Sequence, residues 1–246
     1  MMQHYIDVFH AVLPALLNGF WQTLGISLAG IIGGSAIGFV LGLVRGQRVP
    51  YLTPLIGGYL HLLRGTPFLV QLYVVYFVLP NTGFALLMWD SLTAALVSLA
   101  IYTSSYVTEI VSGAIRAIPR GQWEGAFAIG MRRGQTLRHI ILPQSVMLIL
   151  PSLGGVYVNL IKATSIVSVV GISELTRQGE ISILRFPSDI LFIYGIVALI
   201  YFCYCFPVLK LVDWLEKNAG KPRMGKQRSS STTDGTIPPD KQNVRA

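Results

Sequence analysis

Charged side chains are scarce in this chain of 246 residues. They make up 12% of it, whereas a soluble domain carries about 25%. Hydrophobic residues reach 52%. This balance excludes an ordinary soluble domain and predicts an integral membrane protein.

Residues that could build a metal site or a disulfide are also few. The two cysteines, Cys203 and Cys205, stand two positions apart in an apolar run. Side chains so spaced on a helix point to different sides, so neither a mutual disulfide nor a metal pair is expected. The four histidines are scattered over ends and loops without metal-ligand spacing. The sequence therefore predicts no metal site and no catalytic residues.

Two further motifs are missing. The first twenty residues contain no Lys or Arg, so a cleaved signal peptide lacks its basic region. The stretch 220–227 nearly fits a phosphate-binding loop. However, it lacks the final Ser or Thr, is interrupted by Pro222, and follows no strand. We therefore expect a retained first helix, no ATP site and no cofactor in this chain.

Long apolar stretches are what the sequence does contain. A helix needs about 20 apolar residues to cross a bilayer, and a helix satisfies its own backbone polar groups. The sequence therefore predicts an all-α membrane bundle of five transmembrane helices within a transmembrane domain, residues 1–216. The predicted spans are residues 20–44, 55–79, 91–115, 146–170 and 190–211.

The basic residues predict an orientation. Most of the 19 Lys and Arg residues fall between spans one and two, between spans three and four, or after span five. The opposite side holds only Arg177 and Arg185. By the positive-inside rule the N-terminus faces out and the C-terminus faces the cytoplasm. The net charge of +8 thus reflects topology rather than nucleic-acid binding. Residues 217–246 are polar and predicted to form a disordered cytoplasmic tail.

Small residues predict close packing of span one. Gly30, Gly34, Gly38 and Gly42 follow one another at intervals of four, which forms a smooth ridge on a helix. The partner is either another helix of this chain or a second subunit.

Span two contains a predicted break. Arg64-Gly65-Thr66-Pro67 combines a glycine with a proline that disfavours helical geometry at the residue before it. A break here separates a cytoplasmic interfacial helix, Leu55 to Leu63, from the span itself. Arg64 would then snorkel or pair at the boundary.

Charged residues inside spans mark candidate substrate-pathway positions, because burying them in a bilayer is costly. Glu109 in span three either lines a transport pathway or pairs near the cytoplasmic end, for example with Arg116. Lys162 in span four stands beside Thr164 and Ser165. Its ammonium could hold a substrate carboxylate or pair with Glu109.

The segment between spans three and four, residues 116–143, has its own pattern. Pro119 and Gly121 mark a turn, and apolar residues then recur at the spacing of a short amphipathic helix. We expect Gly134 to break it and a second short helix to lead to Leu142. The first helix either lies on the membrane surface or docks into a groove of a partner.

This segment resembles the loop of ATP-binding cassette importer permeases, which has the form E-A-A-x3-G-x9-I-x-L-P. The matching residues are Glu124, Gly125, Ala126, Gly130, Ile140, Leu142 and Pro143. Gly125 in place of the first Ala is the one departure. The surroundings resemble the polar amino acid branch of that family. The branch has the pattern F-R-G-T-P-L-L-V-Q-L where this chain has residues 63–72, and I-P-K-G-Q-W-E where it has residues 118–124. The branch pattern L-K-D-T-S-L-V-S-V-I-G-x-x-E-L corresponds to residues 161–175. The resemblance covers about residues 15 to 215.

The resemblance implies a bacterial inner-membrane permease without catalytic activity of its own. A second permease, identical or related, would share the pathway, and an extracytoplasmic binding protein would deliver a polar amino acid. Two cytoplasmic ATPase subunits, which bind ATP and Mg²⁺, would receive this loop. The implied ATPase-coupling residues are Glu124, Gly125, Ala126, Gly130, Arg132 and Arg133.

One further departure from the family pattern bears on the substrate. The family often has Asp after the Lys of the fourth span, where this chain has Ala163, which puts a basic amino acid substrate in doubt. A self-contained channel or carrier is the main alternative, but five spans do not divide into two inverted repeats. A membrane-embedded enzyme would need an acid–base pair or metal cluster.

Overall fold

The structure is a computed structural model that describes residues 2–219 of the chain. Every regular element in that range is helical, which confirms the predicted all-α class. The α-helices are α1 (Met2–Gly46), α2 (Leu52–Arg64), α3 (Phe68–Tyr73), α4 (Ser91–Ala117), α5 (Arg120–Ala128), α6 (Arg133–Thr136), α7 (Leu142–Ala163), α8 (Leu175–Arg185) and α9 (Ile190–Ala219).

Tighter and wider turns extend three of these helices. Helix α3 continues through a π turn, Val74–Val78, and a 3₁₀ turn, Leu79–Thr82. A π turn, Leu137–Ile141, joins α6 to α7, and a 3₁₀ segment, Thr164–Val170, follows α7. Residues 133–170 therefore form one continuous helical run of 38 residues.

Proline accounts for the π turns. Pro143 has no N–H to donate to the carbonyl four residues earlier, so the helix widens just before it. The N–H of Leu142 donates instead to the carbonyl of Leu137, five residues back. The π turn ahead of Pro80 has the same form.

Four helical segments are long and apolar enough to cross a membrane: 2–46, 91–117, 133–170 and 187–215. Helix α2 and the helical segment Phe68–Thr82 are each too short alone and pass the same test only together. The two bend by 103° at the break between them. By length and composition, the described residues hold four unbroken candidate spans, and five if the bent pair counts as one span. The predicted helical membrane bundle is confirmed.

Helix α1 begins at Met2, well before the predicted start of span one at residue 20. At about 1.5 Å per residue its 45 residues reach about 67 Å, over twice the hydrocarbon thickness of about 30 Å. Its first part buries Val8, Val12 and Leu16, spaced four apart, in a cluster with Leu175. The predicted span, residues 20–44, lies inside α1. Hydropathy did not indicate the helical segment before it, because that segment has only one buried apolar stripe.

The predicted break in span two is confirmed. Helix α2 ends at Arg64, and Pro67 has an extended backbone with φ −61° and ψ 143°. The side-chain amide of Gln71 donates to the carbonyl oxygens of Leu63 (2.6 Å) and Thr66 (3.0 Å). One buried amide therefore satisfies carbonyls that the break deprives of helical partners.

The helix that contains span four begins earlier than the predicted span. Its helical run starts at residue 133 rather than 146, so the connecting loop is confined to residues 118–132. The expectation that Gly134 breaks a helix was wrong, since Gly134 lies inside α6. Leu137 and Ile141 pack these polar first turns against α4, and such burial outweighs the weak helix propensity of one glycine.

The end of the chain also differs from expectation. Helix α9 continues to Ala219, so the first three residues of the predicted disordered tail, 217–219, are helical. The rest of that predicted tail lies outside the described residues.

The glycine ridge of α1 packs against α4 of the same chain, which answers the question of its partner. A Cβ placed on Gly38 would lie 2.6 Å from the Cβ of Val107, and one on Gly42 would lie 2.5 Å from that of Val111. No real Cβ atoms approach so closely, so only glycine fits at these two positions. Gly34 faces Thr103 and Gly30 faces Leu99 in the same register.

Three apolar clusters follow one another along α1. One joins its first turns to α8 and α9, and the middle one joins Ile26 to α3, α4 and α7. The third surrounds the last turns of α4 and the start of the run at residue 133. We call the end of the bundle with residues 118–132 the loop end, and the end with α8 the far end.

Candidate functional site

Helix α5, at the loop end, carries three of the six predicted coupling residues: Glu124, Gly125 and Ala126. Ala126 is 3% exposed, and Trp123 packs against the cluster at the end of α4, so the helix is anchored on one side. Glu124 and Gly125 are exposed, and Phe127 is 47% exposed. The helix therefore presents an acidic and partly apolar surface outward from a fixed base.

Gly130, rather than Gly134, ends α5. Its φ of +82° lies in the left-handed region that favours glycine. The N–H of Gly130 donates to the carbonyl of Phe127 (2.9 Å), and that of Met131 to Ala126 (3.0 Å). This is the usual glycine-terminated helix end. A Cβ at Gly130 would meet nothing within 4 Å, so within the chain the requirement is conformational.

The two arginines of the implied coupling set start the next helix. Arg132 precedes α6, and its backbone N–H donates to the side-chain oxygen of Gln135 at 2.9 Å. The guanidinium of Arg133 donates to the carbonyl oxygen of Gln47, just after α1. Arg133 thus ties the loop to α1, while the Arg132 side chain is exposed.

Glu109 sits in an arginine cluster near the loop end. Its Oε2 accepts from Arg45 at 2.7 Å and from Arg64 at 3.3 Å, and its Oε1 accepts from Arg116 at 3.4 Å. The four side chains come from α1, α2 and α4 and join those helices. The sequence left Glu109 either as a pathway residue or as a residue paired near the cytoplasmic end, and the structure shows it paired. Arg64 pairs at the helix boundary, as expected. Lys162 is not a partner.

Lys162 and Ser165 line a cleft of about 440 Å³ next to α8 and α9. Thr176, Tyr194 and Tyr201 line the same cleft, whose remaining walls are small apolar side chains. Lys162 is exposed there, and no ion pair of Lys162 occurs within residues 2–219. The cleft therefore offers an ammonium and hydroxyl groups to a ligand.

Thr164 does not share that cleft. It is fully buried, and its hydroxyl donates to the carbonyl of Ile161 at 2.7 Å. Of the four pathway candidates, the structure brings Lys162 and Ser165 together, and it places Thr164 and Glu109 elsewhere.

A polar network beside the cleft was missed by the sequence analysis. Glu174, with 0% exposure, caps α8 by accepting from the N–H groups of Thr176 (3.0 Å) and Arg177 (2.8 Å). The hydroxyl of Tyr201 donates to the same carboxylate at 2.9 Å. Burial raises the pKa of Glu174 above its ordinary value, against the lowering effect of these donors. The available signal was a lone acidic residue directly before a short polar helix.

Comparisons with known proteins identify the family of this chain. Residues 38–221 match the family described as "Binding-protein-dependent transport system inner membrane component". The glutamine transport system permease protein GlnP of Escherichia coli K12 is 38% identical over 181 residues, covering 73% of this chain and 81% of GlnP. The L-cystine transport system permease protein TcyB of Bacillus subtilis is 33% identical over 200 residues, covering 81% and 84%.

A solved structure shares both fold and sequence. The crystal structure of an amino acid ABC transporter with histidines contains a chain that is 32% identical, with a TM-score of 0.75. The match covers 84% of this chain and 94% of that chain. This chain therefore belongs to the family of inner membrane components of binding-protein-dependent transport systems, and it is the membrane-spanning permease subunit of an ATP-binding cassette importer.

Proposed function

We propose that this permease carries a polar amino acid across the bacterial inner membrane, in a complex with two ATPase subunits and a second permease, identical or related. An extracytoplasmic binding protein delivers the substrate. The substrate class is supported by relatives named for glutamine and L-cystine. The single observation that carries the coupling proposal is α5, anchored through Ala126 and Trp123 while Glu124 and Gly125 are exposed.

In this proposal, the ATPase subunits supply the energy for transport. ATP and Mg²⁺ are bound by the ATPase subunits, and this chain is non-catalytic. ATP-driven closure of the ATPases moves α5, and α5 passes that motion to α4 and to the helical run from residue 133. Trp123 supports this route because it packs against the cluster formed by both segments.

The proposed orientation is supported by where the arginines lie in the structure. Arg45, Arg64 and Arg116 meet at the loop end, and the coupling loop contributes more. By the positive-inside rule the loop end faces the cytoplasm, so the start of α1 faces out. The binding protein then meets the far end, where α8 lies.

We place the substrate in the cleft lined by Lys162 and Ser165. An ammonium suits the α-carboxylate of an amino acid, and charge-assisted hydrogen bonds are the strong ones. The positive charge, with Ala163 where the family often has Asp, favours a substrate without a cationic side chain. Glu109 is engaged by three guanidiniums and Thr164 is buried, so neither is assigned a substrate contact here.

The docking role of α5 is tested by reversing one charge. We expect Glu124→Lys to lower the amount of ATPase that copurifies with the permease, because it places a cation on the exposed face of α5. Glu180→Lys makes the same change on an exposed carboxylate of α8, at the far end, and should retain the ATPase. Membrane levels of both variants control for insertion.

Two outcomes count against the docking role. Full recovery of the ATPase and normal ATP-dependent uptake with Glu124→Lys would remove α5 from the interface. Transport by the permease alone, in vesicles without ATP, would favour a self-contained carrier.

A further inference from the structure

A second cleft, of about 370 Å³, lies at the loop end between α1, α4 and α5. It is formed where the chain leaves α1 at residues 46–48, where α4 ends, and where α5 begins. Arg48 has a φ of +55°, so the chain turns sharply at this point. Six of the lining side chains carry the inference: Arg48, Arg116, Arg120, Arg133, Trp123 and Phe127.

The lining of this arginine cleft has four guanidiniums and no carboxylate. Arg116 reaches Glu109 at 3.4 Å, and Arg133 donates to a backbone carbonyl. Within residues 2–219, Arg48 and Arg120 make neither an ion pair nor a side-chain hydrogen bond that meets standard geometry. Both are exposed. Two guanidiniums therefore face the cleft with their donors available.

The neighbouring Glu109 cluster does not neutralise this charge. It consists of one carboxylate among the guanidiniums of Arg45, Arg64 and Arg116. Glu124 is on α5 but does not line the cleft. An uncompensated group of fixed cations attracts an anion, and the planar fork of arginine matches the oxygens of a phosphate.

The position of the cleft and its aromatic side chains indicate what kind of molecule carries the phosphate. The cleft adjoins the last turns of α1 and α4, where these apolar spans end. Trp123 and Phe127 add an apolar wall to the basic one. Arginine pockets between helices on the cytoplasmic side suit the headgroups of anionic phospholipids, and the glycerol and acyl portion can contact aromatic rings.

We propose that the arginine cleft binds a phosphate-bearing anion, the headgroup of an anionic phospholipid of the cytoplasmic leaflet. This ligand would lie between α5 and the spans. It is distinct from the transported substrate, because Lys162 and Ser165 line a separate cleft. Its test does not depend on uptake, so it can fail while the proposed transport function stands.

The test measures lipid retained by the complete transporter, ATPases included. The complex is assembled in nanodiscs that contain equal amounts of phosphatidylglycerol and phosphatidylcholine, extracted in detergent, and analysed by mass spectrometry for bound lipid. We expect phosphatidylglycerol to be enriched. Arg48→Gln or Arg120→Gln should each lower that enrichment, by about fivefold for loss of one basic residue at a charged membrane surface.

The matched control is Arg138→Gln. It removes the same charge from an exposed arginine of the same region that does not line the cleft, and it should leave the enrichment unchanged. A second arm adds inorganic phosphate, or chloride at equal ionic strength, to complexes stripped of lipid and measures their melting temperature.

Each outcome decides the proposal. Enrichment that is lost in the Arg48 and Arg120 variants but kept in the control supports the lipid headgroup. Absence of enrichment, with phosphate raising the melting temperature of the wild type and not of Arg48→Gln, supports the same site filled by free phosphate. Equal loss in all three variants, or no effect of either lipid or phosphate, overturns it.

Discussion

Lys162 and Glu109 are charged residues within apolar spans, and the structure gives them different surroundings. Glu109 has three arginine partners within 3.4 Å. Lys162 lies in the cleft beside α9 with no ion pair in the described chain. A charge that the fold already compensates contributes to structure. One that the fold leaves exposed in a cleft remains able to bind a ligand.

The proposed substrate role of Lys162 leads to a prediction for transport kinetics. Lys162→Met should lower kcat/KM for amino acid uptake by about 10- to 100-fold, since a hydrogen bond to a charged group contributes about 1.5–3 kcal/mol. Lys210→Met makes the same change on α9, outside the cleft, and should leave kcat/KM near the wild-type value. Equal kinetics for wild type and Lys162→Met would exclude a carboxylate contact at this residue.

Glu174 leads to a prediction about pH. Burial raises its pKa in the folded state, so the native protein holds this proton more tightly than the unfolded chain. Stability from this group is therefore present at low pH and is lost as pH rises from the ordinary value toward the raised one. Glu174→Gln cannot titrate, so its stability should not show this loss.

The measurement compares melting temperatures of wild type and Glu174→Gln across pH 4 to 8. As pH rises, the wild type should lose stability relative to the variant, by at most about 1.4 kcal/mol per pH unit. Glu180→Gln, on an exposed carboxylate of the same helix, controls for the loss of one charge. A difference between wild type and Glu174→Gln that is constant with pH would contradict the raised pKa.

At the scale of elements, the contact between α1 and α4 depends on glycine. A Cβ at Gly38 would lie 2.6 Å from the Cβ of Val107 and 2.7 Å from the carbonyl oxygen of Ser104. These are backbone-proximal atoms that cannot move aside cheaply. The two helices can only accommodate a side chain there by separating along part of their length.

Gly38→Ala should therefore destabilise the permease, by about 1–3 kcal/mol as for other overpacked cores. Gly25→Ala is the matched control on the same helix, because a Cβ there meets nothing within 4 Å and alanine favours helix. Thermal unfolding in detergent gives the comparison. A Gly38→Ala protein as stable as Gly25→Ala would contradict the close packing of α1 on α4.

At the scale of the whole molecule, the sequence predicts best what depends on local periodicity. Span three was placed at 91–115 and α4 runs from Ser91 to Ala117, since an apolar run has clear ends. The break before Pro67 and the glycine ridge are also local patterns. The helical class, the membrane location and the importer family follow from such signals.

Features that arise from tertiary contact were less accessible. The start of α1 at Met2 depends on burial against α8 and α9, which no hydropathy average contains. Whether Glu109 and Lys162 are ion-paired depends on which helices are neighbours in the fold. Gly130 and Gly134 look alike in the sequence, and only the backbone shows that the first adopts a positive φ.

The glycine ridge also constrains motion. Helices that approach so closely along several turns cannot slide or tilt without clashes, so we expect α1 and α4 to move together. Rotation is easiest where the helical hydrogen-bond ladder is already interrupted: at the break before Pro67, at Gly130 and at Gly171, whose φ is +86°. These three joints border α3, α5 and α8. Under the proposed coupling route, a motion that α5 passes to α4 would therefore carry α1 with it, and we expect α3 and α8 to change their orientation relative to that pair.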